Sequence, residues 1–95
     1  MRKIVFKYVL DWRRVCELRI FCKSLRVVGF GFQQGEDAHV VWIEVDGVDK
    51  GSYKTIIAKI VNTGIYYDDD WQHVGMCSTM TEDGEIVKHL LIKYY

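Results

Sequence analysis

Ninety-five residues, 49% of them hydrophobic and 27% charged, make a single globular domain over 1–95 and exclude the low-hydrophobicity, high-charge composition of a disordered chain. At that length roughly a third of the unfolded chain's surface stays wet after folding. The formal net charge is zero, which argues against long nucleic acid as a partner, because such a partner favours a basic surface.

Alternation predicts the first strand in IVFKYVL, with Ile4, Phe6, Tyr8 and Leu10 on one face and Val5, Lys7 and Val9 on the other. The next segment is open to two readings. VCELRIF alternates Cys16, Leu18 and Ile20 with Glu17 and Arg19 as a short edge strand would, yet 11–24 also spaces Trp12, Val15, Cys16, Arg19 and Ile20 as a helix could use. SLRVVGFGFQ is β-branched and aromatic, and its interior Gly29 and Gly31 mark a bulge, a bend or a close approach by another group. HVVWIEVD is the clearest strand, with His39, Val41, Ile43 and Val45 opposed to Val40, Trp42 and Glu44. A turn in DGVDKG leads to a strand in YKTIIAKIV, and the two strands are expected to pair as a hairpin. NTGIYYDDDWQHV breaks the pattern: Asn62 and Gly64 suit a turn, and the Asp run could cap one helical turn before Trp71. WQHVGMCSTM is again extended, TEDGE turns, and IVKHLLIKYY closes the chain as a strand.

About seven short antiparallel strands at regular spacing predict an all-β or strand-dominated α+β fold, a small sandwich or barrel with at most one short helix. The chain has no proline, so its sheet edges must be charged, covered or paired with another subunit, and a homo-oligomer is expected. Cys16, Cys22 and Cys77 form no C-x-x-C pair and no even-numbered framework, which places the chain in a reducing compartment, the cytoplasm. MRKIVFKYVLDW is interrupted by Lys7 and Asp11 and lacks a small-residue cleavage site, so it is not read as a signal peptide. No apolar run approaches the length of a membrane span, and no membrane partner is expected.

Charge is unevenly spread: residues 1–30 hold eight Lys or Arg against two acids, and 31–95 hold five against eleven. That suits an anionic ligand meeting the N-terminal strands, or two halves that interleave and neutralise each other. Catalytic and metal signatures are missing. Gly29, Gly31 and Gly35 do not have phosphate-loop spacing. His39, His73 and His89 fall in separate segments, as packed or interface histidines do, and Asp68, Asp69 and Asp70 lack the alternating ligands of a calcium loop. Ser24, Ser52 and Ser78 sit in no nucleophile elbow, and Cys77 near His73 is no dyad. Neither an enzyme, a metal nor a cofactor is therefore expected. Trp12, Trp42, Trp71, Tyr8, Tyr66, Tyr67, Tyr94 and Tyr95 exceed what so small a core needs, and surplus Trp and Tyr serve interfaces and base stacking. With Lys7, Arg13, Arg14 and Arg26 among them, a small charged ligand or a protein partner fits.

Taken in order, IVFKYVL, SLRVVGFGFQ, VVWIEVD, NTG, HVGM and VKHLLI resemble a family of short phage proteins, the anti-CBASS sponges. The resemblance spans nearly the whole chain, and its specificity lies in the order of short motifs: a Lys-Tyr strand, a Trp strand ending Val-Asp, a Gly-Thr-Gly turn and a Trp-His strand. It matches Lys7 and Tyr8, Gln33, Trp42 and Asp46, Thr63 and Gly64, Gly75 and His89. Asn62, His73, Met76 and Lys88 stand where the family has Gly, Tyr, Thr and Trp. The resemblance implies a tetramer in the host cytoplasm that sequesters a cyclic dinucleotide immune signal, such as cyclic GMP-AMP, without cleaving it. A twofold ligand of that kind suits a symmetric interface presenting the same groups twice. The expected ligand contacts are Lys7, Tyr8, Arg26, Gln33, Asn62, Thr63, Gly64 and His89. Two other functions remain open: an inhibitor that docks on a host defence protein in the manner of an anti-CRISPR, and a phosphodiesterase.

Overall fold

The computed structural model describes residues 2–47 and 52–94. Every regular element among them is a strand: β1 (Lys3–Leu10), β2 (Cys16–Phe21), β3 (Ser24–Gln33), β4 (Ala38–Asp46), β5 (Tyr53–Asn62), β6 (Gln72–Thr81) and β7 (Gly84–Tyr94). All pairings are antiparallel, in a three-stranded sheet ordered β1-β4-β3 and a four-stranded sheet ordered β2-β5-β7-β6. The all-β reading holds, and no described residue is helical.

Segment 11–24 resolves into a turn followed by β2. The Asp11 carboxylate accepts from the Arg13 backbone N–H at 3.0 Å and from the Arg13 and Arg14 guanidiniums at 3.1 and 3.0 Å. These bonds satisfy the turn locally and hold the Asp11 carboxyl far below the usual carboxylate range. Beyond it, alternation sends Cys16, Leu18 and Ile20 to the core and Glu17 and Arg19 outward. A helix would have carried Arg19 round with Ile20.

The expected β4–β5 hairpin does not form. Both edges of β4 are taken by β1 and β3, and both edges of β5 by β2 and β7. The chain instead passes from one sheet to the other between Gly47 and Ser52, and the DGVDKG turn lies largely outside the described residues. Nor does the Asp run cap a helical turn: 63–71 is a loop that ends in a turn closed by the Trp71 N–H donating to Asp68 O at 3.1 Å.

The core lies between the sheets, with Val41, Ile43 and Val45 of β4 facing Ile56 and Ala58 of β5 and Leu90 and Ile92 of β7. The bulge expected in β3 is present, with Val28 as the extra residue between Val27 and Gly29. Gly29 and Gly31 leave room for the Trp42 indole, 3.4 and 3.5 Å from where their Cβ atoms would stand. At one side of the sandwich β3 lies against β6, and a Cβ on Gly75 would stand 3.2 Å from Phe30 Cβ. At the other side, β1 grows more exposed toward its start: Leu10 is 4% exposed and Ile4 47%.

Candidate functional site

Four of the eight expected contacts come together beyond the end of β5. Asn62 ends that strand, Thr63 and Gly64 turn the chain (Gly64 φ +91°), and His89 stands on the neighbouring β7. The Thr63 hydroxyl and His89 Nε2 are 2.8 Å apart, and His89 Nδ1 is 2.9 Å from His73 Nε2 on β6. A neutral imidazole has one donor and one acceptor nitrogen. In one tautomer His89 Nδ1–H donates to His73 and Nε2 accepts the Thr63 hydroxyl; in the other both bonds reverse. These groups, with Asn62, Gly64 and Tyr67, border a recess of about 260 Å³.

Alternation along β7 separates neighbouring residues. Lys88 points to the opposite face from His89, where its Nζ donates to Asn62 Oδ1 at 2.6 Å and lies 4.6 Å from the centre of the Trp12 ring. The loop forming the recess is pinned by Trp71, whose ring takes the ammoniums of Lys59 and Lys93 at 4.3 and 4.6 Å. Lys93 also pairs with Asp70 at 2.7 Å, and its charge holds the Asp70 carboxyl below the usual range.

The other four expected contacts lie in the β1-β4-β3 sheet. Lys7 Nζ donates to Gln33 Oε1 at 3.0 Å and to Glu36 Oε1 at 2.5 Å on its outer surface. Arg26 donates to Glu44 at 3.0 Å, and that guanidinium lowers the Glu44 pKa. Tyr8 turns inward against the core, where burial raises its phenol pKa. Lys7, Gln33 and Arg26 thus form no common site with Asn62, Thr63, Gly64 and His89 in one copy of the chain, and each of the two cations has an acidic partner. Such exposed pairs are weakly held and can be exchanged for a ligand.

Reading the residues in order missed His73, Tyr67, Lys88 and Trp12 as neighbours of the turn. In the sequence His73 reads as a packed or interface histidine, Lys88 as a departure from the resembling pattern, and Trp12 and Tyr67 as members of a surplus of aromatics. Among the described residues no group of three or more His, Cys, Asp or Glu is placed to hold a metal ion, and no helix is long and apolar enough to cross a membrane. Chemically, the recess offers a hydroxyl and two imidazoles beside a phenol ring, groups that hydrogen-bond a polar edge and stack on a flat face. Comparison with protein-family models, with curated proteins and with solved structures finds no match for the chain.

Proposed function

We propose that the protein is a phage-encoded binding protein that sequesters a cyclic oligonucleotide, such as a cyclic dinucleotide, without cleaving it. The observation that supports this reading is the convergence of Thr63, His73 and His89, from two strands and a turn, on one recess beside Tyr67. Hydroxyl and imidazole groups read base edges, and a phenol ring stacks on a base. Phosphate contacts would come from Lys7 and Arg26 of another copy, because within one chain these residues stand on a different sheet from the turn. A homo-oligomer is therefore part of the proposal.

Calorimetry with a panel of cyclic di- and trinucleotides tests it, together with native mass spectrometry for the number of subunits. Binding at micromolar concentration or below is expected, weakened about tenfold by Thr63→Ala, the loss of one hydrogen bond to a ligand. No binding across the panel would sink the reading. The bound nucleotide is expected back intact after denaturation. That outcome decides something, since a threonine hydroxyl bonded to one histidine and aligned by a second is also the arrangement of an activated nucleophile. A second reading, docking on a host protein, is favoured by Tyr66, which is fully exposed next to the half-exposed Ile65. A stoichiometric host protein retained from lysate, with no nucleotide, would favour that reading.

A further inference from the structure

At the same end of the sandwich, on the inner side of the sheets, a second and larger recess of about 540 Å³ opens between the ends of β3 and β6 and the start of β4. Its volume falls within the range of small-ligand sites, roughly 300–1,000 Å³. His39 stands in its wall, only 6% exposed, held between the rings of Phe30 and Phe32 at centroid distances of 5.8 and 5.1 Å. Its Nε2 atom has no hydrogen-bond partner among the described residues. A buried ring nitrogen without a partner lowers stability, and folded proteins keep few of them. Both burial and the nearby Lys88 charge favour the neutral imidazole.

Trp12 stands half-exposed at the rim, carried by the turn that Asp11 fastens. Charge in the recess is balanced. Lys88 is already matched by the Asn62 amide oxygen and the Trp12 π-face, and the Asp37 carboxylate lines the same rim. A phosphate there would meet one committed cation and one anion. An uncharged flat molecule meets aromatic walls and an unmet hydrogen bond.

We propose that this mouth is a second ligand site, taking an uncharged nitrogen heterocycle of the nucleobase kind, with its face against Trp12 and its polar edge reaching the enclosed His39 Nε2 as the Phe32 ring turns aside. Phe32 supplies apolar wall, and the Gln34 amide at the rim can pair with a further edge atom. The site stands or falls independently of the turn recess, because it uses neither Thr63 nor His89.

Titrating the whole chain with adenosine, guanosine, cytidine and uridine tests the site, read by the imidazole nitrogen resonances in long-range proton–nitrogen NMR spectra, with indole as a flat ring of nearly apolar edge. At least one nucleoside is expected to move the His39 Nε2 resonance saturably and to bind more tightly than indole. Trp12→Ala is expected to weaken it about tenfold, the loss of one stacking contact, and His39→Phe to abolish the preference over indole. Trp12 is exposed, so its variant serves even where His39→Phe fails to fold. Three outcomes overturn the proposal: no movement of the His39 signals at millimolar nucleoside, as a bound water alone would give; binding unchanged by Trp12→Ala; or movement confined to His73 and His89. The last would place the nucleoside in the turn recess and leave the proposed function standing.

Discussion

The two recesses are neighbours with opposite hydrogen-bond accounts. On the outer face of β7, His89 has both ring nitrogens engaged, with Thr63 and His73. On the inner side, beyond Lys88, His39 has a nitrogen unmatched among the described residues and aromatic rings around it. A ligand at the turn must replace bonds the protein already makes, so its gain is a difference between similar terms, and fit decides which molecule stays. A ligand at the mouth that displaces the wall over His39 Nε2 would supply a bond that is missing, so even one well-placed edge atom would contribute. A polar cluster is thus not by itself the more favourable place to bind.

The largest effect is expected from separating the walls. Gly75→Val sets a branched side chain where even a Cβ stands 3.2 Å from Phe30 Cβ, so β3 and β6 must move apart, and a loss of roughly 1–3 kcal/mol in chemical denaturation is expected. Because Phe30 stacks on His39 of the mouth, nucleoside binding there should suffer more than cyclic nucleotide binding at the turn.

Changing the two histidines should give opposite signs. His89→Phe breaks two satisfied bonds and should lower stability by about 1 kcal/mol. His39→Phe keeps the ring contacts, removes a buried group without a partner, and should raise it by a similar amount. The pH dependence sharpens the contrast. Folding lowers the His39 pKa below 6.5, so between pH 6.5 and the lowered value the unfolded chain binds a proton that the folded chain does not. Stability from this group is complete above pH 6.5, falls as pH drops through that window, and levels off beneath it. Denaturation measured along pH should show that slope in the parent chain and its loss in His39→Phe. The smallest effect belongs to Thr63→Ala, about 0.5 kcal/mol, because water can take the place of an exposed hydroxyl.

Much of the fold was legible in the chain's alternation. HVVWIEVD faced Val41, Ile43 and Val45 one way, and the structure buries all three; Gly29 foretold the bulge beside it. Pairing was less legible. Nearness in the chain suggested that the strands around DGVDKG would join, whereas which edges are free depends on strands that arrive from elsewhere. Of the site, Asn62, Thr63, Gly64 and His89 were singled out and lie together. Lys7 and Gln33 were singled out and hydrogen-bond each other, though in the other sheet, a contact that depends on the order β1-β4-β3. His39 was hidden for a physical reason: a histidine in phase with valines and an isoleucine reads as packing, and only the three-dimensional neighbourhood reveals that one of its nitrogens goes unmatched.

The sandwich leaves β1 and β3 as the edges of one sheet and β2 and β6 as the edges of the other. Of these, β1 carries Ile4, Val5 and Phe6 exposed, and no proline interrupts its row of backbone groups. An edge of that kind is where a second copy would add a strand. Two copies meeting there about a twofold axis would each close the other's edge.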